Sequence, residues 1–143
     1  VRNVTTNRTQ AGQVATIIAA EAHPGDVVAY CPDQIGPSAS RRLGSVPGLI
    51  QLTFPDGGRP DRVNWVDYID RIGAANPAAF ARRVLDQAGT HNIWFVSATG
   101  YNHVEGKCEA IAAALTAARP KTTSRVAQTD STFEYMGLSS FAA

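Results

Sequence analysis

Apolar residues along the chain change repeatedly from helical spacing to short continuous runs. At residues 9–22 the apolar positions recur at helical spacing, and the turn-forming residues 23–26 end that pattern. Three short runs rich in β-forming residues lie at 27–31, 49–54 and 92–98. Continuous apolar runs of this length are typical of strands that are covered on both faces, as in a parallel sheet.

Helical segments separate and follow these runs. A short helix is predicted at 37–43, and a longer one at 77–87, where Asn76 is a favourable N-cap. Another helix is predicted at 104–118. Residues 63–72 are expected to form an irregular segment or a short helix.

The alternation of strands and helices predicts the fold class. Crossover helices between parallel strands cover both faces of a sheet. Near the end of the chain, residues 122–129 alternate weakly and would pair with a last strand at 132–136. We therefore expect one α/β domain over residues 1–143, a three-layer, mostly parallel Rossmann-like sheet with helices on both faces and an antiparallel edge hairpin at the C-terminus. Because the chain begins on Val1 rather than Met, we expect it to be a fragment of a longer protein.

Composition and charge exclude some classes of partner. The chain has 143 residues, a net charge of +1 and 17% charged residues, which is typical of a globular protein. Nucleic-acid binding requires a clustered basic face, and Arg41 with Arg42 is too small a cluster to provide one. We expect no nucleic-acid partner. No apolar run approaches the length of a membrane-spanning helix.

Two loops are predicted at the C-terminal edge of the sheet, where open α/β folds bind ligands. The candidate binding residues in these loops are Asp33, Gln34, Ser38, Ser97, Thr99, Tyr101 and His103. Ordinary loop and capping interactions are the alternative for all of them. A Ser97–His103–Asp33 triad can be drawn, but Ser97 lacks the flanking glycines of a nucleophile elbow. We therefore predict no catalytic residue in this chain.

The connection at residues 55–70 carries several charged residues beside Trp65 and Tyr68. Aromatic residues among charges can mark a contact surface for carbohydrate or protein. The alternative is a solvated loop that Trp65 anchors in the core, and we favour this second interpretation.

The two cysteines lie in different predicted elements. Cys31 ends the first predicted strand, and Cys108 shares one helix face with Ile111, Leu115 and Ala118. Both thiols would therefore lie near the C-terminal edge of the sheet. The residues alone leave a disulfide and two free buried thiols equally open. No further Cys or His stands at ligand spacing near either one, so we expect no metal and no cofactor.

Several segments together resemble a known family. In chain order they are VVAYCPDQIGPSASRRL, RVNWVDYIDR, IWFVSATGY, KCEAIAAAL and FEYMGLSSF. This order resembles the soluble C-terminal domain of actinobacterial polytopic membrane proteins of the glycosyltransferase-C type, which are similar to polyprenyl-phosphate-mannose-dependent mannosyltransferases. The resemblance covers nearly the whole chain from Arg8 onward.

The resemblance implies a location and a function. The chain would follow the last membrane helix and lie at the cell membrane on the extracytoplasmic side. Its partners would be the membrane-embedded remainder of the same chain and a glycan or lipid-linked sugar. It would assist substrate binding or assembly, and it would not be catalytic alone, because the catalytic acidic residues of that superfamily lie in a loop near the first membrane helices.

The resemblance also bears on the cysteines and leaves two rival functions open. Cys31 and Cys108 match positions where family members carry cysteine, and an oxidising compartment then favours a disulfide. One rival is a free-standing, hydrolase-like α/β enzyme with its site at the C-terminal sheet edge. The other rival is a protein-interaction module that uses residues 55–70.

Overall fold

Five strands of the described residues form one open sheet. The computed structural model describes residues 10–61, 63, 65–98, 106–128 and 136–143. The strands are β1 (Val27–Cys31), β2 (Ile50–Thr53), β3 (Ile93–Ser97), β4 (Thr122–Val126) and β5 (Gly137–Phe141). Their order in the sheet is β2-β1-β3-β5-β4. β1 pairs in parallel with β2 and β3, whereas β5 is antiparallel to both β3 and β4.

Helices connect the strands. They are α1 (Ala11–Glu21), α2 (Gly36–Ser40), α3 (Tyr68–Ala74), α4 (Pro77–Ala88) and α5 (Lys107–Ala118), with 3₁₀ helices at Asp33–Ile35 and Arg41–Leu43. As expected, the Asn76 side chain caps α4 by accepting a hydrogen bond of 3.1 Å from the backbone N–H of Ala79. None of the helices in the described part of the chain has the length and apolar character needed to cross a membrane.

Side chains of β1 divide between two hydrophobic clusters, because neighbouring residues of a strand point to opposite faces. Val27, Ala29 and Cys31 pack with residues of α3, α4 and α5. Val28 and Tyr30 pack with residues of α1, α2 and the 3₁₀ segments. Every β1 side chain is fully buried, so this strand is the centre of the hydrophobic core.

The structure confirms a mixed α/β fold with a mainly parallel core and antiparallel C-terminal strands. β4 lies at the edge, as predicted. The last strand is β5, whereas the sequence pattern predicted a strand at 132–136. Residues 132–135 lie outside the described part, and Met136 precedes β5. The prediction missed β5 because only Leu138 and Phe141 in that strand are fully buried, which leaves a poor alternating pattern.

A buried carboxylate joins the N-terminal ends of β1 and β3. Asp26 is 1% exposed. Its Oδ2 atom accepts hydrogen bonds from the His23 backbone N–H at 3.0 Å and from the Trp94 indole N–H at 3.1 Å. Its Oδ1 atom accepts one from the Asn92 backbone N–H at 3.0 Å. These bonds satisfy donors that would otherwise be buried without partners.

A buried cation closes the same end of the molecule. Arg119, which follows α5, is 7% exposed, and its guanidinium donates to the carbonyls of Gly89, His91 and Phe141. Burial lowers the pKa of Arg119, and the charge of Asp26 opposes that change. The loop before β3, the end of β5 and the end of α5 are thereby held together.

We predict that Asp26→Asn destabilises the fold. The amide NH₂ that replaces one carboxylate oxygen would face an N–H donor, which leaves that donor unsatisfied and costs about 1–3 kcal/mol. Urea unfolding followed by far-UV circular dichroism measures the free energy of unfolding. Asp86→Asn is the matched control, because Asp86 is exposed on α4. Equal unfolding midpoints for the two variants would contradict the role given to Asp26.

Candidate functional site

Three polar side chains meet beyond the C-terminal end of β1. The Tyr68 hydroxyl donates a hydrogen bond of 2.7 Å to Asp33 Oδ1. The Gln34 side-chain amide donates one of 3.2 Å to the Tyr68 oxygen. Because the hydroxyl both donates and accepts, the Tyr68 ring is held in one orientation.

Backbone contacts place Asp33 and the loop after β2 next to each other. The Asp33 N–H donates to the carbonyl of Phe54 at 2.9 Å. Farther along, Gly36 packs against Pro60, and a Cβ at Gly36 would lie 2.7 Å from the Pro60 carbonyl oxygen. Only glycine allows this close approach. The loop after β2 is therefore packed against the segment that carries Asp33.

The environment of Asp33 favours its neutral form. Asp33 is 5% exposed. Burial raises the pKa of its carboxyl group, whereas the hydrogen bond from Tyr68 lowers it. The charge of Asp56 adds to the increase and that of Arg71 opposes it. Burial, together with the hydrogen bond to Asp33, also raises the pKa of Tyr68, so its hydroxyl remains a donor.

An open cleft of about 640 Å³ lies next to this group. Its lining residues are Trp65, Asp67, Tyr68, Ile69 and Asp70. Trp65 is 62% exposed and Ile69 is 59% exposed. The ring centroids of Trp65 and Tyr68 lie 5.0 Å apart, with an interplanar angle of 51°. Tyr68 therefore connects the buried polar group to the exposed aromatic wall of the cleft.

The favoured expectation that Trp65 anchors residues 55–70 in the core is wrong. Tyr68 and Ile72 occupy the buried face of α3, one turn apart. Beneath them Phe54 and Phe80 pack edge to face, with centroids 5.4 Å apart. Since these rings fill the core, Trp65 lies on the surface and contacts the ring of Tyr68.

Charges around the cleft differ in how they are paired. Arg71 forms an ion pair with Asp56, donates to the Val66 carbonyl at 2.8 Å and lies 5.8 Å from the Tyr68 ring centroid. The carboxylates of Asp67 and Asp70 form no hydrogen bond or ion pair within the described residues. The charged residues among the described lining of the cleft are therefore both acidic.

Asp67 has an unusual backbone conformation. Its φ of 51° is in the left-handed region, and its side chain does not cap α3 although it occupies the N-cap position. Aspartate tolerates this region better than most residues. The Asp67 carboxylate lines the cleft instead of binding the helix backbone.

The structure brings together only some of the predicted binding residues. Asp33 and Gln34 meet at Tyr68. Ser38 lies on α2 and donates to the Ile35 carbonyl at 3.4 Å, and Ser97 ends β3 opposite Cys31. The other three candidates lie outside the described residues; they are Thr99, Tyr101 and His103.

Sequence reasoning missed Tyr68 as the partner of Asp33. The aromatic residues among the charges at 55–70 indicated a contact surface, but nothing in the pattern linked that segment to β1. The link requires the loop after β2 and α3 to fold back over the C-terminal end of β1. This long-range contact joins residues 35 positions apart.

The predicted disulfide between Cys31 and Cys108 is confirmed. Their Cα atoms are 5.6 Å apart, and the bond spans 77 residues. It joins the end of β1 to the first turn of α5, and both residues are buried. Next to it, Lys107 Nζ donates to the Ala75 carbonyl at 3.0 Å, which ties α5 to the end of α3.

Metal ligands are not clustered in the described part of the chain. No group of three His, Cys, Asp or Glu residues there could hold a metal ion.

We predict that Cys31→Ala/Cys108→Ala lowers the free energy of unfolding by about 2–4 kcal/mol, because the unfolded chain loses a long cross-linked loop. Urea unfolding with and without reductant measures this loss. Reductant should destabilise the wild type but leave the double variant unchanged. Two titratable thiols in the denatured, unreduced wild type would contradict the disulfide.

We predict that the pKa of Asp33 rises further in Tyr68→Phe, because the hydrogen bond that lowers it is removed. Carboxyl ¹³C chemical shifts measured across a pH titration give this value directly. Tyr30→Phe is the matched control, since it removes a buried hydroxyl that bonds to Gln51 instead. Equal Asp33 titration curves in wild type and Tyr68→Phe would count against the assignment.

The raised pKa of Asp33 also makes the stability of the fold depend on pH. The folded state holds the proton more tightly than the unfolded state, whose ordinary pKa is 3.8. The stabilisation that this bound proton gives is complete below pH 3.8, and it is lost as the pH rises through the pKa that Asp33 has in the folded state. Asp33→Asn should therefore gain stability relative to wild type as the pH rises above 3.8. A difference in unfolding midpoints that does not change with pH would exclude this coupling.

Comparison of the chain with protein-family models, with curated proteins and with solved structures gives no significant match. The assignment of a function therefore depends on the residues and on the geometry described above.

Proposed function

We propose that this chain is the extracytoplasmic domain of a membrane-embedded glycosyltransferase-like protein, where it holds a glycan or a lipid-linked sugar and is not catalytic alone. The order of segments that resembles the mannosyltransferase-like proteins supports the location. The Cys31–Cys108 disulfide supports it too, because disulfides persist mainly in oxidising compartments.

The observation that carries the proposal is the exposed Trp65 in the cleft. A sugar ring has apolar C–H faces, which pack on an aromatic ring, and hydroxyl groups, which donate to carboxylates. Trp65 offers the first kind of contact, and Asp67 with Asp70 offers the second. A mostly apolar cleft with a few polar groups is typical of small-ligand sites.

The cleft is also organised before any ligand binds. Trp65 packs against Tyr68, whose hydroxyl is held by Asp33 and Gln34. A wall that is already ordered loses less conformational entropy on binding, which favours affinity. The buried polar group thus has a positioning role for the aromatic wall.

The same contacts favour binding of a sugar over catalytic turnover of it. Asp33 accepts the Tyr68 hydroxyl, and Cys31 and Cys108 are joined to each other, so this carboxyl group and these two sulfurs have structural roles. For the fold, we propose the three-layer Rossmann-like class. Its support is the packing of alternate β1 side chains against two separate sets of helices.

A protein-interaction module is the second candidate. The observation that favours it is a run of exposed apolar side chains, with Trp65 at 62%, Val66 at 69% and Ile69 at 59% exposure. Exposed apolar patches often mark contact surfaces. Binding measurements that separate the cleft from the patch distinguish the two candidates.

We predict that Trp65→Ala abolishes binding of methyl α-mannoside and short mannose oligosaccharides, because it removes the stacking surface. Amide and indole chemical-shift changes on titration measure dissociation constants that we expect to be about millimolar. Val66→Ala is the matched control, because Val66 is exposed beside the cleft but does not line it.

The outcome of this titration distinguishes the glycan site from the protein-interaction module. Loss of binding in Trp65→Ala alone supports the glycan site. No shifts with any sugar would leave the interaction module as the better proposal. Glycosyl transfer or hydrolysis by this chain alone, assayed with polyprenyl-phosphate mannose, would overturn the non-catalytic role.

A further inference from the structure

The charged side chains among the described residues that line the cleft are both carboxylates. Asp67 and Asp70 line it, and their carboxylates have no hydrogen-bond or ion-pair partner in the described part of the chain. No described basic residue lines it. Arg71, which follows Asp70 on α3, is paired with Asp56 and bonded to the Val66 carbonyl.

The aromatic wall points to the same kind of ligand by a separate route. The faces of tryptophan and tyrosine rings attract cations through their quadrupole, and this attraction grows when water is displaced. Trp65 is 62% exposed and is packed against Tyr68, which is itself held from behind. Tyr68 itself is only 9% exposed, and the Arg71 guanidinium lies 5.8 Å from its ring centroid, so Trp65 supplies the ring that a ligand can reach. The cleft therefore combines one exposed aromatic ring with two carboxylates.

A neutral sugar would leave both carboxylates without a countercharge. Carboxylates that face a bound ligand and lose part of their hydration need a countercharge or several hydrogen bonds. A sugar ring that itself carries a carboxylate, such as a uronate, would be repelled by the same two groups. A protonated amine satisfies the carboxylates and can also contact the exposed ring of Trp65.

We infer that the cleft binds a glycan residue that carries a protonated amine, an amino sugar with no acyl group on its nitrogen. The sugar ring packs on Trp65, and the ammonium group lies near Asp67 and Asp70. This inference rests on the proposed function, because it names the chemical class of the glycan that the same cleft would hold.

The closing experiment titrates this chain with matched hexoses in the manno and gluco configurations. The probes are the neutral hexose, the free 2-amino sugar, its N-acetyl derivative and the uronate. We expect the amino sugar to bind about tenfold more tightly than the neutral hexose, since each partly exposed charge pair contributes about threefold to fivefold. The uronate should bind least.

Variants test which groups carry the preference. Asp67→Asn/Asp70→Asn should remove the tenfold preference and keep weak binding of the neutral hexose. Asp86→Asn, on α4 and outside the cleft, should change nothing. About 0.5 M salt should also reduce the preference, because the charges are exposed to solvent. Far-UV circular dichroism confirms that each variant is folded.

Three outcomes would overturn the inference in distinguishable ways. Equal binding of the neutral, amino and N-acetyl sugars, all lost in Trp65→Ala, would reject the amine and keep the glycan site. N-acetyl-lysine methylamide, with its acetyl group on the α-nitrogen, carries a side-chain ammonium group but no sugar ring. Equally strong binding of this probe would reject the glycan and leave the cleft as a site for a cation. No binding by any probe would reject both this inference and the proposed glycan function.

Discussion

Strand β1 has no exposed side chain, and the buried carboxyl groups at its two ends, those of Asp26 and Asp33, both have hydrogen-bond partners inside the protein. At its start, Asp26 accepts hydrogen bonds from the backbone that leads into β3 and from the Trp94 indole. Just beyond its end, Asp33 accepts the hydroxyl of Tyr68. Polar links thus lie at both ends of the buried strand, and the second link includes Tyr68, which lines the cleft.

The disulfide and the cleft share this support. Cys31 is the last residue of β1, and its bond to Cys108 fixes the strand end two residues before Asp33. On the helix side, Lys107 donates to the backbone at the end of α3. The aromatic wall is therefore supported from β1 and from α5. An ordered wall loses less conformational entropy on binding than a flexible one, which favours affinity for the proposed ligand.

Prediction of the fold from sequence succeeded where local chemistry was decisive. The cap at Asn76 and the apolar run of β3 depend on residues that are near one another in the chain. It failed for β5, whose strand character comes from pairing with β3 and β4 on either side. Two neighbouring strands can hold a segment with a weak alternating pattern, because the ladder bonds involve only backbone groups.

The candidate site, like the fold, depends partly on local sequence and partly on long-range contacts. The sequence by itself determined that apolar runs alternate with helices, that Cys108 lies on a buried helix face, and that Asp33 and Gln34 follow a strand. Only the tertiary structure decided that Tyr68 meets Asp33 and that Trp65 faces solvent. Both outcomes depend on which rings fill the space under α3. That competition for core volume involves residues far apart in the chain, so local spacing does not encode it.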